Sequence, residues 1–309
     1  MKKILALLAV VIAVCIGAFF YLSGGTEETT PVEKITINHV MGTTEVPKNP
    51  TRVIVFDYGI VEMLDTVGVE VIGLPKDSLP KFLEKFKDEK YVNVGGLKDP
   101  NLEKIYELKP DLIIVAGRQE PFYDQLSKIA PTVGLTTTGD DYLDTLKVNV
   151  KMMGEIFSKQ VELNKELATL ETNLKEVKDK VESQNLNALV VLSNNGKLSA
   201  YGLKSRFAII HDHFGFKTVE DIAASTHGSK VNFEYLLEKN PNYIFVVDRN
   251  AVNGGEVSAN KAFDNDIVKA TDAYKNGNII FLDAETWYTA TGGIKTTQKM
   301  IDEVKAGLK

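Results

Sequence analysis

The chain of 309 residues has a single cysteine, Cys15. It cannot form a disulfide within itself, and a cysteine-based zinc site is excluded. An excess of basic charge is also missing. Lys and Arg number 36 against 42 Asp and Glu, for a formal net charge of -6. A nucleic-acid binder usually carries the opposite balance, so no nucleic-acid partner is expected. Signature loops are lacking too. Asn194-Asn195-Gly196 reads as a hairpin turn and not as a phosphate loop. Asn253-Gly254-Gly255 has no strand-to-helix context of a dinucleotide fingerprint. Ser225 and Ser229 sit in no nucleophile-elbow pattern. The remaining composition, 44% hydrophobic and 25% charged, suits one large or two medium domains with proper cores.

Charge is absent altogether from residues 4–22, directly after Met1-Lys2-Lys3. That length can cross a bilayer core as a helix, and the lysines before it favour export of the chain beyond residue 22. Residues 23–31, rich in Ser, Gly, Thr and Glu, read as a flexible tether. Ile12-Ala13-Val14-Cys15 resembles a bacterial lipoprotein box in which Cys15 would be lipidated. Val14 is larger than the usual residue before that cysteine, and the apolar run continues past it. A lipid anchor at Cys15 and an uncleaved membrane helix both stay open. Either places the folded part outside the cytoplasm and tethered to the membrane by its N-terminus.

Proline is absent from residues 142–182, and glycine occurs there once, at Gly154. Tyr142, Leu146, Val150, Met153, Phe157 and Val161, then Leu167, Leu170, Leu174, Val177 and Val181, fall at steps that put one apolar stripe on a helix. Asp140 and Asp141 can cap its start. One continuous helix would span about 60 Å, too long for one globular lobe. A break is therefore expected near residues 154–158, with a long second helix over residues 159–182.

The segments on the two sides of this stretch repeat each other. Residues 101–118 and 232–249 align without a gap, with seven of eighteen positions identical. Both read as helix, proline-containing turn, buried strand and then an arginine, Arg118 or Arg249. The spacing of 131 residues is far larger than that of a solenoid repeat. Apolar strands alternating with short helices suggest parallel sheets, so one α/β lobe is used twice. Ligands of open α/β sheets sit beyond the C-terminal strand ends, which directs Arg118 and Arg249 to a cleft between the lobes.

Pro47-Lys48-Asn49-Pro50 before Arg52-Val53-Ile54-Val55, residues 101–114, Arg206-Phe207-Ala208-Ile209-Ile210 and the helical connector together resemble the solute-binding proteins of bacterial iron-siderophore ABC transporters. Within that family the chain looks most like the ferric-catecholate binders of the enterobactin and petrobactin type. The narrower match rests on His227 in Ser225-Thr226-His227-Gly228, on Tyr288 in Trp287-Tyr288-Thr289, and on Arg118, Arg206 and Arg249. The resemblance implies two Rossmann-like lobes joined by a long rigid α-helix, the class III periplasmic-binding-protein fold. Its parts would be a leader (1–22), a linker (23–33), a first lobe (34–140), connecting helices (141–183) and a second lobe (184–309). It also implies a non-enzymatic monomer that hands an intact ferric siderophore to a membrane permease. His227 and Tyr288 would bind the iron, and the three arginines would line the pocket.

The chemistry agrees with that implication. Fe(III) favours anionic oxygen donors, and two catechols leave two positions of an octahedron open. A tyrosine phenolate suits one of them, and imidazole commonly serves iron. Arginine forks and stacking suit an anionic catecholate better than lysine does. Taken singly, a loop histidine is more often solvated, Tyr288 can simply pack over an edge, and arginines after strands are often surface groups. Tyr201 and Trp287 are candidates for lining the pocket or for ordinary packing. The histidines of His211-Asp212-His213 point to different faces of a helix, so a structural role is expected. Other cargoes (a hydroxamate siderophore, haem or a corrinoid) and a hydrolase using His227 as base are the alternatives.

Overall fold

The computed structural model describes residues 33–136, 141–223, 225 and 227–309. The leader with Cys15, the tether over residues 23–31, Asp140 and Thr226 lie outside the described residues. No helix among the described residues is long and apolar enough to cross a membrane.

An antiparallel ribbon opens the described chain, β1 (Lys34–His39) with β2 (Gly42–Pro47). His39 is fully used in holding it. Its Nδ1 accepts from the backbone N–H groups of Met41 and Gly134, and its Nε2 meets Thr44 Oγ1 at 2.9 Å. Burial keeps the His39 pKa below its ordinary value.

The first lobe is built from β3 (Val53–Val55), α1 (Tyr58–Thr66), β4 (Gly73–Leu74), β5 (Val92–Asn93), α2 (Leu102–Leu108), β6 (Leu112–Val115) and β7 (Thr132–Gly134). Its five strands are all parallel, in the order β5-β4-β3-β6-β7. The central strands β3 and β6 are buried at every position. Such uninterrupted apolar runs are what a parallel sheet covered on both faces requires. The edge of the sheet is short, with β4 and its partner β5 two residues each.

Two helices come next, α3 (Tyr142–Phe157) and α4 (Gln160–Ser183). Asp141 caps α3 by accepting from the Asp144 N–H. The helix ends at Ser158, which sits in the left-handed region at φ 53°. Gly154 lets the start of α4 approach: a Cβ there would stand 3.2 Å from the Gln160 Cα. The break falls where the sequence places it, and Lys147 on α3 pairs with Glu171 on α4 at 2.7 Å. Of the expected stripe, α4 buries Leu170, Leu174, Val177 and Val181, while Leu167 is half-buried. Val161 is 81% exposed and Leu163 is buried in its place, since the turn at Ser158 resets the helical phase.

The second lobe comprises β8 (Asn187–Asn194), β9 (Lys197–Tyr201), α5 (Ile209–Asp212), β10 (Lys217–Thr218), β11 (Ser229–Val231), α6 (Phe233–Lys239), β12 (Tyr243–Asp248), β13 (Ile279–Leu282) and α7 (Ile294–Gly307). Its sheet runs β11-β9-β8-β12-β13, with β10 added beside β8. The β8–β9 hairpin closes on Asn195 and Gly196, both at positive φ, as the expected tight turn requires. α5 is a single turn, and residues 203–207 before it are turn and bend.

The repeat is structural to the level of its caps. Asn101 and Asn232 each accept from the N–H three residues on, and α2 and α6 both end in a left-handed residue, Lys109 and Asn240. One cluster of buried side chains runs from Val53 and Leu64 through Leu163 and Val181 to Phe245 and Ile301. The connector is thus packed into both lobes. α7 also reaches the first lobe, where buried Glu62 of α1 accepts from the Lys295 and Thr296 N–H groups at 2.9 and 3.4 Å.

Candidate functional site

The strand ends put the expected residues on one cavity of about 1520 Å³. Arg118 comes after β6 on a 3-10 turn, Gly117–Phe122, and Arg249 comes directly after β12. Tyr201 is the last residue of β9, and Arg206 stands in the turn beyond it. His227 directly precedes Gly228 and β11, and Tyr288 rides a π-helical turn, Glu285–Thr289, after β13. Arg118, Tyr201, Arg206, His227, Arg249 and Tyr288 all line the cavity. The first lobe adds a wall that includes Asp77, Leu79, Pro80 and Lys98.

Arg206 is bound to the protein's own tyrosine. Its Nη2 donates to the Tyr288 carbonyl at 2.6 Å, and its guanidinium carbon lies 4.1 Å from the Tyr288 ring centroid. Arg249 approaches the same ring at 6.0 Å. Burial lowers the Arg206 pKa, and the neighbouring Tyr288 works against that shift. The Arg249 Nε is buried and has no hydrogen-bond partner among the described residues. A buried, unpaired donor on a cation is costly, and an anionic oxygen is the group that relieves it.

His227 is exposed and free of side-chain bonds among the described residues; its backbone N–H donates to Ser225 Oγ. Gly228 explains its position. At φ 70°, Gly228 passes against the Tyr201 ring, and a Cβ there would lie 2.7 Å from the Ala200 carbonyl and 2.8 Å from the ring. Only glycine brings the chain this close. Tyr201 itself packs edge-on against Phe207 with 4.8 Å between centroids, and burial raises its pKa.

Trp287 is a correction. It is 0% exposed and turned away from the cavity, and its Nε1–H donates to Glu303 Oε2 on α7 at 2.7 Å. Adjacent residues of a helical turn face different ways, so Trp287 anchors the turn that presents Tyr288. His211 and His213 are structural, as their spacing suggests. His211 Nδ1 meets the Phe216 carbonyl at 3.0 Å, and His213 Nε2 meets Asp141 Oδ1 at 3.0 Å.

Sequence reasoning missed several lining residues, among them Lys98, Lys197, Lys230 and Glu285. With them, among the described residues six cationic side chains line the cavity against three carboxylates, Asp77, Asp99 and Glu285. The cleft is therefore cationic in a chain whose net charge is -6. A local signal existed for Lys98, which stands shortly after Gly95-Gly96 just beyond β5, at a C-terminal strand end. Lys230 and Lys197 are brought together through the β9–β11 pairing, which no local pattern announces.

Comparison with known proteins decides the family. Residues 53–286 match the periplasmic binding protein family. The chain belongs to that family. It is 44% identical to the petrobactin-binding protein YclQ of Bacillus subtilis, over all of both chains. It is 36% identical to the ferric-anguibactin-binding protein FatB of Vibrio anguillarum, covering 88% of this chain and 87% of that one. The crystal structure of the Bacillus subtilis petrobactin-binding protein superposes with a TM-score of 0.87, covering 90% of this chain and 99% of that one. The catecholate-siderophore binding protein VctP of Vibrio cholerae superposes at 0.84 and 36% identity, covering 89% of this chain and 100% of that one. The two-lobed, helix-connected fold expected from the sequence is the one observed.

Proposed function

We propose that the protein captures a ferric catecholate siderophore in the cleft and delivers it intact to an ABC permease of the cytoplasmic membrane. The observation that carries this reading is the convergence of His227, Tyr288, Arg118, Arg206 and Arg249 on one cationic cavity. The similarity to petrobactin and catecholate binders supports it. Iron enters as cargo. His227 and Tyr288 supply a nitrogen and an oxygen donor to the two positions that a bis-catecholate leaves open. Coordination itself drives loss of the phenolic proton. Arg118 and Arg249 offer forked donors to the anionic chelate.

Titration with a ferric bis-catecholate, monitored by visible absorption, tests the reading. Binding should shift the charge-transfer band as a phenolate joins the iron, and the ligand should be recovered unchanged. An unshifted band, or a hydrolysed ligand, would overturn it. Residues 1–22 and 23–33 are read as anchor and tether. Mass spectrometry of the membrane form distinguishes a lipid on Cys15 from an intact N-terminal helix.

A further inference from the structure

The turn carrying Tyr288 is fastened on two sides. Toward α7, the Asp283 backbone N–H and the Trp287 Nε1–H both donate to Glu303 Oε2, at 3.3 and 2.7 Å. Toward the first lobe, Glu285 Oε2 accepts the backbone N–H of Lys81 at 2.9 Å, across 204 residues of sequence. Lys81 opens a 3-10 helix, Lys81–Lys87, whose N-cap is Pro80 and which has no side-chain cap within its own lobe. Orphan N–H groups at such an end need an acceptor, and a carboxylate is favoured there. Glu285 supplies it from the opposite lobe. Leu79, Pro80, Glu285 and Tyr288 all line the same cavity, so this bond bridges the margin of the cleft beside the tyrosine.

We propose that Glu285 is a positioning residue, a latch that holds the first lobe to the Tyr288 turn. It closes one margin of the cleft and fixes where Tyr288 stands. A second inter-lobe carboxylate, Glu62, bonds the Lys295 and Thr296 N–H groups but is buried. The contrast in burial divides the labour. Glu62 is sealed from water, so its bonds are the ones that resist opening. Glu285 is half-buried and Lys81 exposed, and water competes for both ends of their bond, so it is the one that yields when cargo leaves. The consequence for cargo rests on the proposed function; the latch bond does not.

Two substitutions isolate the bond from either end. Lys81→Pro deletes the N–H, with Lys81→Ala as the control for the lost exposed side chain; Pro80 is already extended at ψ 150°, and a proline is accommodated at the first helical position. Glu285→Ala deletes the acceptor, and Glu285→Gln restores an amide oxygen. In cargo-free protein, hydrogen exchange at the Lys81 amide should accelerate about tenfold in Glu285→Ala and recover in Glu285→Gln. Equal exchange in wild type and Glu285→Ala would overturn the latch. Stopped-flow dissociation of a ferric bis-catecholate should be about fivefold faster in each single variant. The double variant should be no faster than either single, because both remove one bond. Additive effects, or none, would overturn the positioning role. If wild type binds no ferric catecholate, the proposed cargo fails while the amide result still decides the latch.

Discussion

Arg206 lies over the face of Tyr288, its guanidinium carbon 4.1 Å from the ring centroid and its Nη2 donating to the Tyr288 carbonyl at 2.6 Å. An arginine expected to hold cargo thus also holds the residue expected to hold iron. Arg206→Lys keeps the charge but loses the planar stack and the fork. Affinity for a ferric bis-catecholate should fall about tenfold, equivalent to one hydrogen bond plus a cation–π contact. Tryptophan-quenching titration measures it, and an unchanged affinity would mean that Arg206 clamps nothing that matters.

Tyr288→Phe keeps the ring beneath Arg206 and removes only the phenol oxygen. The binding-induced change in the visible band should vanish while the protein remains folded, and affinity should weaken. A band change that persists would remove Tyr288 from the metal.

His227 stands exposed at the cavity, where a proton competes with iron for the imidazole. Affinity of the wild type should fall on acidification, and His227→Ala should bind more weakly with a flatter pH profile. Superimposable profiles would show that His227 is not a ligand.

Trp287→Phe cuts the Nε1–H bond to Glu303, whose carboxyl pKa burial already pushes upward. The loss should cost about 1–3 kcal/mol of stability. Thermal melting measures it, and the Tyr288 turn should show faster amide exchange than wild type.

Below neutrality half-buried His39 and buried His211 each add a positive slope of stability against pH. Burial lowers the pKa values of His39 and His211. As pH falls through about 6.5, the ordinary histidine value, the unfolded chain takes up protons that the fold refuses. The unfolded state then binds more protons, so this contribution to stability is present above that pH and is lost on acidification toward the depressed folded values. Buried Asp57 and Glu62 act oppositely, since their raised pKa values favour the protonated fold at lower pH. Between pH 7.5 and pH 5, urea midpoints should lose less on acidification in His39→Gln than in wild type, and identical changes would show that His39 contributes no pH dependence.

The repeat, the helix break at Ser158 and both strand-end arginines are determined by the sequence alone, because each arises from local chemistry. Asparagine caps, a left-handed residue before a Pro-turn and an all-apolar strand act within some eighteen residues, and two copies make the pattern legible. The candidate residues His227, Tyr288 and Arg206 are legible for the same reason, as parts of motifs of a few residues. Only the tertiary structure decided that Trp287 faces α7 and not the cavity, and that Arg206 stacks on Tyr288. It alone decided that Lys98, Lys197 and Lys230 make the cleft cationic, and that Glu285 reaches Lys81. These are contacts between elements up to 204 residues apart. They are set by how the two sheets and α7 pack around the connector, which no local periodicity encodes.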